Sequence, residues 1–199
     1  TCEQGEVIFN GEAITEATPA MMIEKGVAVI YQELMLLRYR TVAENIFLGR
    51  YPLNKFKAVD YKKMRADAQK ILDELNLDVD PDAYVKDLSV AKRQMVEIAK
   101  AMSRNAKLIV LDEPTAVLGE SELEGLFSLV RNLAAKGITF IYISHRIKEI
   151  FELCTHLTIM KDGTVCESGK VEDYTTEMLV NRMVGRDMSN MYPSREGRN

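Results

Sequence analysis

Residues 106–115 read AKLIVLDEPT. An almost wholly apolar run passes directly into two adjacent carboxylates and a proline, the pattern of a buried parallel strand that ends where negative charge is needed. Asp112 and Glu113 are therefore expected at the carboxyl end of a central strand, the edge at which open α/β sheets bind their ligands. An aspartate there suits Mg²⁺ held through water, and a neighbouring glutamate suits the orientation of water toward a phosphate. A strand followed by an acidic loop would read the same on these residues alone, so the rest of the chain has to decide.

Two other apolar runs end the same way. Val27 to Tyr31 leads into Gln32 and Glu33, and Ile138 to Ile143 leads into Ser144 and His145. Gln32 offers an amide for a metal or water. His145 offers an imidazole able to hydrogen-bond a phosphoryl group without a permanent charge. Three polar departures from one sheet edge predict a cleft. His156, the other histidine, opens the strand His156 to Met160 and reads as structural or exposed.

The intervening segments are read from their punctuation. Glu6 to Gly11 ends in Asn-Gly, a hairpin signal, with the second strand continuing through Glu12 to Ile14. Thr18 to Glu24 is a short helix with Pro19 near its start, stopped by Gly26, and Val42 to Phe47 is a short helical piece. Gly49 to Ala58 reads as an exposed connection. Asp60 caps a helix to about Leu75 with Met64, Ala68, Ile71, Leu72 and Leu75 on its apolar face, and Pro81 breaks the segment after it.

Ser89 caps Val90 to Ser103, with Val90, Met95, Ile98, Ala99 and Met102 approximating one face; the first-turn N–H groups make an anion site or simply a capped core helix. Glu120 to Ala135 is amphipathic through Leu123, Leu126, Phe127, Val130 and Leu133, and Gly137 closes it. Lys161-Asp162-Gly163 turns the chain into Thr164 to Glu167, and a helix is expected over Thr176 to Val184. The order predicts an α/β fold with a mostly parallel sheet, a helical subdomain and antiparallel accessory strands. The expected organisation is a partial core over 1–41, the helical subdomain over 42–105, the rest of the core over 106–185, and a linker or tail over 186–199.

Composition sets the outer bounds. With 199 residues, 47% hydrophobic and 28% charged, the chain has the balance of an ordinary globular protein. A net charge of -4 gives no bulk attraction to nucleic acid or to an anionic bilayer. Cys2, Cys154 and Cys166 have no CxxC spacing, so neither a disulfide framework nor a zinc site is indicated, and a reducing compartment fits best. No apolar run approaches the roughly 18 residues of a membrane span, and no export-signal layout is visible. Membrane association is expected only through a partner.

Taken together, these strings resemble the ATP-binding cassette ATPases. YQE at Tyr31 to Glu33 is similar to the glutamine loop, LSVAKRQMVEIAKAM at Leu88 to Met102 to the signature sequence and its helix, and LIVLDEPT at Leu108 to Thr115 to the Walker B strand. AVLGESE at Ala116 to Glu122 stands in the place of the D-loop, and YISHR at Tyr142 to Arg146 is similar to the switch-histidine loop. AENIFLGR at Ala43 to Arg50, YISHRIKEIFELC at Tyr142 to Cys154, and MVGR at Met183 to Arg186 with Tyr192-Pro193 resemble in particular the first of two cassettes in the fused ATPase subunit of ribose- and galactose-type monosaccharide importers.

The resemblance implies a P-loop NTPase-like fold, ATP and Mg²⁺ as cofactors, and an ATPase energising carbohydrate uptake. It makes Asp112 the metal-side carboxylate, Glu113 the residue that polarises water, and Gln32 a contact to Mg²⁺ or water that reports nucleotide state to the membrane subunit. His145 would meet the γ-phosphate; Ser89, with Ala91 and Lys92 beside it, would meet ATP bound to the opposite cassette. The implied partners are transmembrane permease subunits, a second cassette fused downstream and, indirectly, a periplasmic or extracellular sugar-binding protein, with no nucleic acid. The implied location is the cytoplasmic face of the bacterial plasma membrane, peripheral through the permease. The alternatives are a cassette of another transporter or soluble process, and a non-catalytic interaction fragment.

Three departures qualify the resemblance. No GxxxxGK[ST] occurs in the chain, which opens on Thr1 rather than Met, so an N-terminally incomplete cassette, an excised or processed piece that hydrolyses ATP negligibly by itself, is expected. The signature has Ala91 where the family prefers glycine and Lys92 where it has glutamine, and Gly119 stands where the D-loop has aspartate. A methyl group at Ala91 would crowd a backbone approach to phosphate, leaving a weakened composite site.

Overall fold

The Asn10-Gly11 pair, both at positive φ (50° and 79°), turns strand β1 (Val7–Phe9) back antiparallel onto β2 (Glu12–Ile14). These observations come from a computed structural model that describes residues 5–116 and 118–184. Helix α1 (Pro19–Glu24) follows, its Thr18 hydroxyl accepting from the Met21 N–H, and then β3 (Val27–Ile30). Next come α2 (Val42–Ile46), α3 (Tyr61–Glu74) and, after a 3₁₀ turn at Val85–Asp87, α4 (Val90–Met102). Strand β4 (Leu108–Asp112), α5 (Glu120–Ala135), β5 (Thr139–Ile143), α6 (Ile147–Leu153), the hairpin β6 (His156–Lys161) and β7 (Thr164–Lys170), and α7 (Thr176–Val184) complete the described chain.

The chain divides into two compact units between Ile143 and Ser144. In the first, β3, β4 and β5 form a parallel sheet with β4 in the middle. Its register pairs Ile30 with Leu111 and Asp112 with Ile143. Because side chains alternate, Ala28, Ile30, Ile109, Leu111, Phe140 and Tyr142 share one face. Ile30, Ile109 and Leu111 are buried there, while Val29 and Ile141 on the other face are 45% and 49% exposed. Helix α4 packs on β3 and α5 packs on β5; α2 packs on α3 and α4.

The second unit is built around Leu157, Ile159, Val171 and Leu179, against which Ile147, Ile150, Phe151 and Tyr174 pack. Asp162 and Gly163, both at positive φ, close its hairpin. No helix among the described residues is long and apolar enough to cross a membrane.

The elements agree with the sequence reading in kind, and the differences have local causes. Helix α4 buries far more of its circumference than the single face Val90, Met95, Ile98, Ala99 and Met102: Ala91, Gln94, Val96, Glu97 and Ala101 are also buried, whereas Val90, Met95 and Met102 are only half-buried. It is wedged against α2, α3, α5 and β3, which cover most of its circumference and leave Lys92 exposed. Phe47, Leu75 and Ser103 are C-caps rather than helical residues, and β3 stops at Ile30. Strand β7 runs on past Glu167 because Ser168 Oγ bonds back to Leu157 O (3.2 Å) and to Thr158 Oγ1 (3.0 Å) across the hairpin. The tail expected at 186–199, with Tyr192-Pro193, and Cys2 lie outside the described residues.

Candidate functional site

Strand β4 delivers its two carboxylates in different ways. Asp112 is the last paired residue, half-buried and in register with Ile143. Glu113 then leaves the sheet at φ 44°, a left-handed conformation that costs a non-glycine residue about 1–2 kcal/mol. Its N–H still donates to Ile143 O at 2.9 Å, and its carbonyl accepts from Ala116 N (3.4 Å), so the reversal is held from both sides. Thr115, two residues on, is 1% exposed. A strained residue fixed by its surroundings at a strand end is the kind of geometry that marks functional sites.

Gln32 lies two residues beyond Ile30, the partner of Leu111, so it leaves the same carboxyl edge one strand away, a spacing of about 4.8 Å between neighbouring strands. Its side chain is exposed. The structure thus brings Asp112, Glu113 and Gln32 to one edge of one sheet.

Ser89, Ala91 and Lys92 lie elsewhere. They line a groove of ≈ 440 Å³ between the start of α4 and α5, together with Met95, Glu122 and Gly125. Ser89 Oγ accepts from Lys92 N–H (3.3 Å), and Lys92 Nζ donates to Asp78 O (2.8 Å). Ala91 is buried, so its methyl group sits inside the packing. Gly119 caps α5 without a side chain of its own, and its N–H donates to Glu122 Oε2 at 3.4 Å.

His145 belongs to the second unit and is exposed. Its loop is tied down by Glu149, a buried carboxylate that sequence reading passed over: Ser144 Oγ donates to Glu149 Oε2 (2.9 Å), and Arg146 pairs with Glu149 Oε1 (3.4 Å). The available signal was an acidic residue four positions after a histidine on the first turn of a helix. Asn45, fully buried on α2, was passed over in the same way.

The donor set bears on the implied Mg²⁺. Among the described residues no group of three or more His, Cys, Asp and Glu could enclose a metal ion. Mg²⁺ is typically bound through one or two carboxylates together with substrate phosphates and water rather than in an all-protein cage. Asp112 and Gln32, at the same edge of the sheet, fit that chemistry.

The ABC transporter family model matches residues 1–116. The chain is 44% identical over 193 residues, 97% of its length, to the galactose/methyl galactoside import ATP-binding protein MglA of Haemophilus influenzae, and spans 38% of that protein. A nucleotide-free ATP-binding cassette from an ABC transporter superposes with TM-score 0.74 at 29% identity, over 93% of this chain and 75% of that one. An ATP-binding cassette in its ADP conformation gives TM-score 0.72 at 31% identity, over 92% and 74%. The parallel sheet, the helical segment and the antiparallel strands are those of the P-loop NTPase-like cassette fold. A family match over more than half of the chain, with that fold, establishes that the chain belongs to the ABC transporter family as part of a nucleotide-binding domain.

Proposed function

We propose that this chain supplies the hydrolytic edge of the first cassette in the ATPase subunit of a monosaccharide importer of the ribose and galactose type. The observation that carries the reading is the grouping of Asp112, a left-handed Glu113 and Gln32 at one carboxyl edge. The sugar class rests on the likeness to the galactose importer protein. Since the chain spans 38% of that relative, the activity, sugar and partners are proposed for the whole protein.

In this reading Asp112 and Gln32 hold Mg²⁺, which when bound neutralises charge developing on phosphate oxygens. The Glu113 carboxylate accepts a hydrogen bond from the attacking water and orients it, and the His145 imidazole donates toward the γ-phosphate. Ser89 faces nucleotide on the opposing cassette. Gln32 and the loop before Asp60 meet the permease, supported by the exposure of Tyr39 (79%) and Phe56 (89%) on these segments.

Ser89 and Lys92 favour a second reading for the signature end. Lys92 Nζ already donates to Asp78 O, the Ser89 hydroxyl accepts from Lys92 N–H, and Ala91 is buried, which favours a composite site that binds nucleotide but hydrolyses it weakly.

The test is magnesium-dependent ATP turnover of the full-length subunit assembled with its permease, with wild type set against Glu113→Gln. Loss of turnover with nucleotide binding retained supports the reading. Equal turnover removes Glu113 from the role.

A further inference from the structure

Asn45 is 0% exposed, yet it sits on a short helix among Val42, Ala43 and Ile46, where an apolar side chain would be expected. Both N–H bonds of its amide donate, and its oxygen accepts. Leu37 N–H donates to Asn45 Oδ1 at 2.7 Å, and Asn45 Nδ2 donates to Leu37 O at 3.1 Å and to Thr41 O at 2.9 Å. One side chain therefore does for Leu37 what a neighbouring strand would do, accepting from its N–H and donating to its C=O.

The same backbone is gripped from its other side. Lys86 N–H donates to Arg38 O (2.9 Å) and Val85 N–H to Arg40 O (3.1 Å). Val42 N–H donates to Ala83 O (3.0 Å), and Thr41 and Tyr84 form an isolated antiparallel bridge. Lys86 Nζ also lies over the rings of Tyr39 (5.9 Å) and Tyr84 (5.7 Å). The segment beginning five residues after Gln32 is thus laced to the segment that ends three residues before Ser89.

We propose that Asn45 is a positioning residue that locks the backbone at 37–41, so that the loop from Gln32 and the approach to Ser89 shift together rather than independently. The functional half of this inference rests on the roles proposed above for Gln32 and Ser89; the mechanical half does not. The cluster has few alternative arrangements, because displacement of Leu37 deprives the fully buried Asn45 amide of two of its three hydrogen bonds. Motion at one loop is therefore transmitted through the ladder to the other.

Hydrogen–deuterium exchange on the full chain tests the mechanical half. The Leu37 N–H lies outside any helix or strand and donates to Asn45 Oδ1, so protection of this amide by about 100-fold reports the Asn45 lock. Exchange at the unprotected rate in the wild type overturns the inference without any variant being made. In Asn45→Ala, exchange at Leu37, Val85 and Lys86 is expected to rise together by about tenfold, with β4 amides unchanged. A rise at Leu37 alone overturns the linkage.

The functional half is read in the assembled importer as the ratio of permease-stimulated to basal ATP turnover. Asn45→Ala should lower that ratio by about fivefold while the KM for ATP in basal turnover stays within about twofold. An unchanged ratio alongside raised exchange overturns the coupling role. A wild-type assembly without turnover counts against the proposed hydrolysis, and the exchange results still decide the lock.

Discussion

The amide of Glu113 donates to the carbonyl of Ile143 at 2.9 Å, so the carboxylate proposed to orient water is carried on a backbone fastened to the adjacent strand end. The bond spans the step from β4 to β5 just where β4 stops pairing through Asp112. It fixes the left-handed turn without using the Glu113 side chain.

Backbone and side chain at Glu113 can accordingly be separated. Glu113→Gln keeps the conformation and should change the urea midpoint little, while turnover in the assembled protein falls by about 100-fold or more, the scale of removing a general base. Glu113→Ile places a β-branched residue at φ 44° and should destabilise the chain by at least about 1–2 kcal/mol in urea titration. Equal stability of the two variants would show that the turn is not strained.

Gly26 carries a similar constraint at the other end of the sheet. It has φ 93°, and an added Cβ would lie 3.2 Å from Asn105 O and 3.3 Å from Lys107 N. Its carbonyl accepts from both Lys107 N (2.7 Å) and Leu108 N (3.1 Å), which sets the start of β4 against β3. Gly26→Ala should cost more than about 1 kcal/mol by thermal or urea unfolding. A neutral result would mean that this close approach relaxes freely.

The two faces of the sheet should respond unequally to truncation. Ile109→Ala removes a side chain that is 0% exposed and should cost about 2–5 kcal/mol. Ile141→Ala, on the face that is half open to solvent, should cost less than about 1 kcal/mol. Equal losses in chemical denaturation would show that the second face is covered in solution.

Burial pushes the Cys154 thiol above its ordinary value, whereas Cys166 is exposed. At pH 8 iodoacetamide should therefore label Cys166 well before Cys154, as read by peptide mass mapping. The raised folded-state pKa also fixes a sign. Its contribution to stability is full below the unfolded thiol pKa, about 8.5, and fades as pH climbs through the higher folded value. Faster labelling of Cys154 than of Cys166 would contradict the burial.

Much of this fold is legible in the amino-acid sequence. AKLIVLDEPT reads as a central strand because its apolar run is continuous, and β4 is the middle strand although one face of the sheet stays half open; Asn10-Gly11 and Asp162-Gly163 read as turns because their conformation is local. Asp60 and Ser89 act as the N-caps their chemistry suggests, whereas Thr18, read as the start of its helix, caps it from outside. The less visible features depend on distant partners. Gln94 and Glu97 look like solvent-facing positions on α4 until tertiary packing buries them, and Asn45 looks like a polar surface residue until Leu37 folds onto it. Glu113 gives no sign in sequence of its backbone angle, since the turn is imposed by Ile143 across the sheet. For Gln32, Ser89 and His145 the residues themselves suggest metal, water or phosphate chemistry, and the resemblance narrows these to specific roles.

The parallel pairing has a consequence for how the chain is made. Ile30 finds its partner at Leu111, about eighty positions later, and at a synthesis rate of about 5–20 residues per second β3 waits several seconds on the ribosome before that partner exists. During this interval α2, α3 and α4 can already form from nearby sequence. The helices therefore have time to assemble before the first pair of parallel strands can join.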